Sequence, residues 1–562
     1  MKPATEHKIE EDWMTIHQII NGERGFVMIT CIVLLFMFSM LGISMIDKSS
    51  DDMEVAGYQL KDTNALYAAE AAADFAYAEF NAAIDSTNAP PNPLPAGTFN
   101  VERFGVTYGT TQVGATTQRT LTSGAYRGLY GLVQDYDIWG HAIADASGVQ
   151  NSVRIRVERA LIPIFQFAIF YDDVLEWHPG PPMTLSGRVH SNGDLYLGSN
   201  SGLTIESFLT AGGGIRHGRH PASGQATGAG DVRIDDQNGT AQSMKNADGT
   251  WLDNNSADWM NESMSRWGGK VQDSAHGMTQ LKLPLESGVD PRGIIADASG
   301  GNNDSFENKA SLKIIDGQAL FDNNGSWINV TADLTASGVL QSATFYDGRE
   351  AKTVSAREID ISKLNTSPYW PSNGILYTKD TQSGSNLKAT RLINGSSLKT
   401  GLTVASDNPV YTKGNYNSTS KRPAAILADA YTVLSGTWND ASSTLALTSR
   451  VAGNTTTNVS FISGNVPSAG GKYSGGVENF PRFLEKWDAK TYTWSGSMVQ
   501  MWQSERATEE WSYGSYYTAP NRAWTFDADL LDPTKLPPGT PMVNAVVKRG
   551  WANTGGPVAS QP

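Results

Sequence analysis

The sequence predicts an α+β protein, one long N-terminal helix followed by a much larger region of short β-strands. Three observations carry this. No proline interrupts residues 26–85, so a helix there meets no break. After about residue 95 the chain is crowded with Asn, Ser, Thr and most of its 56 glycines, a mixture that favours turns and strands over helices. Brief alternations of apolar and polar residues then recur at close spacing. At 562 residues the chain is several times the usual domain length of ~150, so several domains or one long repetitive architecture is expected.

Residues 1–25 form an acidic leader. From Phe26 to Ile46 no residue is charged, and as a helix this stretch spans roughly 31 Å, the thickness of a bilayer's hydrocarbon core. A secretory signal has a shorter apolar region, a basic leader and a small-residue cleavage site; a membrane span fits instead. Arg24 precedes the span, whereas Asp47, Asp51, Asp52 and Glu54 follow it against a single Lys48, which keeps the N-terminus cytoplasmic and puts the rest outside.

The helix continues to about residue 86 through "NALYAAEAAADFAYAEFNAAID", rich in strong helix formers, for a length of about 90 Å. Leu66, Ala69, Ala73, Ala76, Phe80 and Ala83 recur at steps of three and four, a stripe that packs against a helix or a sheet. "NAPPNPLPAG" ends the helix and makes residues 87–98 a linker.

These residues resemble the N-terminal segment of type IV pilin-like proteins, and most closely PilX-type minor pilins. Arg24-Gly25 before the apolar run, Leu41-Gly42 late in it and Ala68-Ala69-Glu70-Ala71 beyond it carry the resemblance. It implies that a prepilin peptidase cuts after Gly25 and that the new terminus, Phe26, is methylated. It also implies that the helix first anchors the subunit in the bacterial inner membrane lipid and then joins other pilin-like subunits in a surface pilus, with Gly42 and Glu70 in the assembly helix. Major pilins carry Glu at the fifth mature position; here it is Thr30. That departure suits a minor or terminal subunit better than a bulk one. The same apolarity and periodicity would serve a single-pass anchor with a helical stalk.

Residues 99–162 form a β subdomain, in which Val153, Ile155 and Val157 face one way and Arg154, Arg156 and Glu158 the other. Residues 163–440 are solenoid-like. Asn192-Gly193-Asp194-Leu195-Tyr196 recurs as Asn373-Gly374-Ile375-Leu376-Tyr377 and, loosely, as Asn408-Pro409-Val410-Tyr411, which favours a right-handed parallel β-helix. A Greek-key β-sandwich is the alternative, with Asn-Gly as a hairpin turn. Residues 441–562 form a Trp-rich C-terminal region, with a short helix expected at 479–487 from Pro481 and the spacing of Phe480, Phe483, Leu484 and Trp487.

The formal charge of −14 and the lack of basic clusters argue against nucleic acid as a partner. The single cysteine, Cys31, lies in the span and permits no internal disulfide. Catalysis needs convergent groups, but the histidines are scattered, and His217 and His220 form the only close pair. Their loop has no third ligand at metal-site spacing. "DDQNG" and "ADASGGNND" read as turns rather than complete calcium loops. No enzyme, cofactor or metal is expected. The leading function is that of a minor pilin-like subunit displaying a large surface domain at a fibre tip, for assembly or adhesion. The alternative is a membrane-anchored β-helix protein that binds or cleaves a surface glycan, suggested by the six tryptophans between Trp438 and Trp524.

Overall fold

The computed structural model describes the backbone of residues 7–555 except 123, 146, 299–303 and 471, and side chains from residue 26 onward. It is α+β: the apolar N-terminal helix leads into a mainly β region. Helix α1 runs from His7 to Thr87. Four antiparallel strands follow, β1 (Ala96–Val101), β2 (Phe104–Thr120), β3 (Tyr130–Ala144) and β4 (Gln150–Pro163). β1 therefore takes up the end of the expected linker. On β4, Val153, Ile155 and Val157 are buried under α1, the face that the alternation assigns to the core. The fifth strand of this sheet is Met542–Asn553, antiparallel to β4. The sequence places it in the Trp-rich C-terminal region; its backbone completes the first sheet.

Everything between β4 and Met542 is therefore inserted into this helix-and-sheet unit, and its strands pair mostly in parallel. Leu175, Leu195 and Ile215, each 20 residues apart, are partners across one small sheet. Met183, Leu203 and Val232 are partners across a second, and Ile169, Val189, Leu209 and Val271 across a third. Parallel pairing stacks like residues on like, so each inward position becomes a dry aliphatic row. The Asn192-Gly193 step lies between Arg188–Ser191 and Leu195–Leu197, strands of different sheets. It is a corner and not a hairpin. Asn408-Pro409 likewise separates strands of different sheets. Asn192 is buried there and satisfies its amide on Asp172, Leu281 and His190.

The largest sheet has 12 strands, of which the last two, Gln318–Asn323 and Ser326–Asn329, close one edge as an antiparallel hairpin. The chain enters this sheet in the middle, at Phe167–Tyr171, and proceeds to the edge at Val271–Gln272. It re-enters near the opposite edge at Leu312–Ile315 and works back until Met498–Gln503 pairs with Phe167–Tyr171. The two runs thus form one stack. The strap that joins them crosses ten parallel strands, about 43 Å at ~4.8 Å per strand. It packs Leu281, Ile294, Ile295 and Phe306 on the outer face of the sheet, against Phe170, Tyr377, Leu427 and Val499.

The short helix expected at 479–487 is absent. Val477–Asn479 makes a single 3₁₀ turn, and Arg482–Phe483 is a strand parallel to Thr432–Val433. Residues 473–485 are buried throughout, so helical spacing of their apolar side chains carried no information about an exposed face. Of the six clustered tryptophans, Trp438, Trp487, Trp494, Trp502 and Trp524 are buried.

Two buried acids give this core a pH dependence. Glu485 accepts hydrogen bonds from the Ser435 N–H and O–H, both at 2.6 Å, and Glu176 is buried beside Tyr171 and Glu478. Burial raises both carboxyls from the ordinary 4.5 to about 7. Between those values the unfolded chain releases protons that the folded chain retains, so stability falls as pH rises through that window. Each acid contributes up to about 3 kcal/mol. Buried His178, His190 and His217, each lowered to about 4, act with the opposite sign up to about pH 6.5, so the readout is a difference: the thermal midpoint of Glu485→Gln relative to wild type is expected to rise between pH 4.5 and 7.5. A variant whose midpoint tracks wild type across that range would exclude Glu485 as a source of the pH dependence.

Candidate functional site: the N-terminal helix

Helix α1 divides by what surrounds it. From Ala65 to Ile84 it lies on the first sheet: Ala65, Ala68, Ala69, Ala72, Ala73, Ala76, Phe80 and Ile84 are buried against Val106, Ile138, Ala142, Val153 and Val157. The predicted stripe falls on this face, and its partner is the sheet. Small side chains bring helix and sheet close, and β3 answers with Gly140. A Cβ on Gly140 would stand 2.7 Å from the Ala73 nitrogen and 3.0 Å from the Ala72 Cβ, with the Ala69 carbonyl oxygen closer still. A lone glycine within an alternating strand marks such an approach; that was the available signal for a residue the sequence analysis missed.

Polar contacts fix the docked half. Asn151 Nδ2 donates to Asp62 at 3.2 Å, and the Tyr108 hydroxyl to Glu79 at 3.2 Å. Lys548, from the returning strand, pairs with Asp74 at 2.9 Å and stands 4.2 Å from the centre of the Tyr77 ring. At the helix end Asp85 binds Lys282 at 2.7 Å and the Ser287 N–H, both from the strap. Phe75 packs against the rings of Phe99 and Tyr108.

Among the described residues, no hydrogen bond, ion pair or ring contact joins the helix before Asp62 to another element of the chain. Residues 26–64 are exposed except for the half-exposed Gly42 and Gly57, a projecting length of about 58 Å. Phe26 is 72% exposed. Water is a poor solvent for the apolar run from Phe26 to Ile46, whereas each Leu, Ile, Phe or Val at the centre of a bilayer gains about 0.5 kcal/mol. Among the described residues α1 is the one helix long and apolar enough to cross a membrane.

The predicted site residues are spread along this helix and do not converge on a pocket. Gly25 lies in helical backbone, so the Gly25–Phe26 peptide bond is inside α1; the side chains of the leader, Arg24 among them, lie outside the described residues. The Thr30 hydroxyl donates to the Phe26 carbonyl at 2.6 Å, so it is satisfied within its own helix and brings no charge to the span. A Cβ on Gly42 would meet nothing within 4 Å. Glu70 is half-buried at the border of the docked face.

Comparison with known proteins adds little to this geometry. No protein-family model and no curated protein matches the chain. Among solved structures, the crystal structure of competence-associated pilin ComZ from Thermus thermophilus aligns with 88% of this chain and 97% of its own, at 10% identity. Its TM-score is 0.25, too low to establish a shared fold.

Other sequence candidates have local explanations. The His217 ring stacks on Trp251, with centroids 3.5 Å apart and planes 6° from parallel, and burial lowers its pKa to about 4. His220 meets the Tyr196 ring edge-on and accepts from the Ala222 N–H. Among the described residues no three His, Cys, Asp or Glu side chains converge as a metal site. In "DDQNG", Asp236 accepts from the Asn238 and Thr240 N–H groups, as a turn-forming Asp does. The 296–304 loop falls partly outside the described residues.

Proposed function

We propose that this chain is a minor pilin-like subunit whose inserted domain is a right-handed parallel β-helix displayed at a fibre tip. The observation that carries the reading is the division of α1, with Ala65–Ile84 sealed on a sheet and residues 26–46 an uncharged apolar rod with no partner among the described residues. A rod of that kind needs lipid before assembly and the helices of neighbouring subunits afterwards, and one segment can satisfy both because each surrounding is apolar.

The inserted domain supports the finer reading in two ways. Its strands pass in turn among small parallel sheets with 20-residue returns, and crossovers between parallel strands of one sheet are right-handed as a rule. Its bulk, some 380 residues between β4 and the returning strand, would obstruct neighbours if repeated along a fibre, and one copy at the end would not. Thr30 in place of a charged residue fits a rare subunit. The role is structural and interactive rather than enzymatic, with a prepilin peptidase, membrane lipid and other pilin-like subunits as partners.

Mass spectrometry of the native mature N-terminus tests the proposal. The expected peptide begins at N-methylated Phe26 and disappears when the prepilin peptidase is deleted or Gly25 is replaced by a bulkier residue. An intact leader would make α1 a permanent anchor, and abundance along purified filaments would remove the tip assignment.

A further inference from the structure

The insertion carries a cleft that the assembly reading does not use. It opens where corner loops of the two runs of the stack meet, has a volume of about 570 Å³, and is lined by His178, Arg219, Tyr473, Glu478, Trp511 and Tyr513 among others. Three features set it apart from ordinary surface.

The first is its aromatic wall. Trp511 alone among the six clustered tryptophans is not buried. Its indole N–H donates to the Tyr517 hydroxyl at 2.7 Å, and that hydroxyl donates in turn to Asn479, so the ring is held in place by its polar edge. Tyr513 stands beside it, ring centroids 6.4 Å apart, and is 57% exposed. Flat apolar faces with a fixed polar edge are suited to ligands that are apolar on one side and polar around the rim.

The second is a surplus of buried donors. Arg219 donates through Nε to the Ala226 carbonyl at 2.9 Å and its guanidinium lies 4.7 Å from the centre of the Tyr473 ring, close to the Tyr473 hydroxyl, while its buried Nη1 has no well-formed hydrogen bond. Its Nη2 lies 2.9 Å from His178 Nδ1, yet His178 Nε2 already faces the Gly228 N–H at 2.9 Å. Burial and the Arg219 charge lower the His178 pKa to about 4, so the ring is neutral. A neutral imidazole accepts at only one nitrogen, and one of those donors is left unmatched. A ligand oxygen entering the cleft would match them.

The third is a main chain shaped for access. Gly475 and Gly476 adopt φ of 96° and 70°. A Cβ on the first would stand 2.7 Å from the Trp511 ring, and one on the second 2.5 Å from Glu478 Oε2 and 2.8 Å from the Tyr473 hydroxyl. Glycine at both positions lets the loop pass beneath the aromatic wall and brings a buried carboxyl and a phenol to the same place. Ala489, on the cleft rim, holds a left-handed φ of 56°, a conformation that a residue with a Cβ seldom adopts.

We propose that this cleft binds a saccharide, with Trp511 and Tyr513 stacking on a pyranose face and Arg219 and Tyr473 holding its oxygens. The aromatic wall takes the C–H face, and the unmatched donors take ring substituents that are rich in acceptors. The proposal does not depend on the fate of the N-terminal helix and stands even for a permanently anchored protein.

The full chain, purified in lauryldimethylamine oxide so that no detergent sugar competes, is applied to a printed array of neutral and acidic plant, animal and bacterial saccharides. Hits are then measured by titration calorimetry on wild type and on Trp511→Ala, Tyr513→Ala and Arg219→Gln. At least one saccharide class should be retained, and each substitution should weaken it at least tenfold, roughly the effect of one lost stacking or charged contact. Tyr513 is exposed, so its variant keeps the fold and the test remains valid if the others unfold. Retention of acidic members alone would assign the Arg219 donors to a carboxylate, and retention of neutral members to hydroxyls; either supports the site. An array with no retained saccharide, or a hit that binds Tyr513→Ala as well as wild type, overturns it.

Discussion

Gly140→Leu is expected to release the C-terminal half of α1 from its sheet while leaving the inserted domain folded. The obstructing atoms are helix backbone: the Ala69 carbonyl, the Ala73 nitrogen 2.7 Å from the new Cβ, and the Ala72 Cβ at 3.0 Å. Unlike a flexible side chain, a hydrogen-bonded helix cannot yield locally, so the whole element must move away. Overpacking typically costs 1–3 kcal/mol; here the upper end is expected, about 3 kcal/mol, because the retreat also uncovers the Ala65 to Ile84 face. Hydrogen exchange on the full chain should show residues 65–84 and β3 losing protection, with the parallel strands of the insertion unchanged. Gly57→Ala is the contrasting control. A Cβ there meets nothing within 4 Å, and the better helix former should stabilise slightly, by up to about 1 kcal/mol. Wild-type protection in Gly140→Leu would mean that the close approach is not what holds the helix.

Asp429→Ala is expected to be still more damaging, and at a place far from α1. The Asp429 carboxylate is fully buried and accepts the main-chain N–H groups of Glu505, Arg506 and Ala507 at 2.7, 3.0 and 2.9 Å. Its Oδ1 also lies 3.7 Å from Nε of Arg292, the buried strap residue that binds Asp407 at 2.6 Å. Truncation strands three N–H donors and withdraws a negative charge from a buried guanidinium. Each stranded group costs about 1–3 kcal/mol, and breaking a buried ion pair about 3–5 kcal/mol, the two being non-additive. A loss of at least about 4 kcal/mol follows, read as a lowered unfolding temperature and as new proteolysis in the strap and at residues 504–510. Asp429→Asn keeps one acceptor oxygen and should fall between. A variant that melts and resists protease like wild type would show that strap and corner are held by apolar packing alone.

Composition and local pattern reached the α+β class, the long helix and its buried stripe because those features depend on contiguous residues. A run without charge or proline and a period near 3.6 are local properties. The alternation in β4 was legible for the same reason. The corner role of Asn192-Gly193 was open between two architectures, since the dipeptide serves a hairpin as readily as a corner until the partner strands are known. At 479–487 the apolar spacing pointed to a helix, but a segment buried on every side has no polar face to make the spacing meaningful. Pairing with Thr432–Val433 decided it.

By itself, the sequence determined that residues 26–46 form an apolar rod, that a stripe of small residues covers one side of the helix beyond it, and that strands and turns make up the rest. Only the tertiary structure decided that Met542–Asn553 returns to the first sheet across some 380 intervening residues, that Gly140 meets the helix backbone, that the strap crosses ten strands to re-enter the stack from the far edge, and that Trp511 lines a cleft while its neighbours fill the core. Those outcomes rest on contacts between residues distant in sequence, whose closure entropy is recovered only when a whole face is buried at once; no local window contains that information.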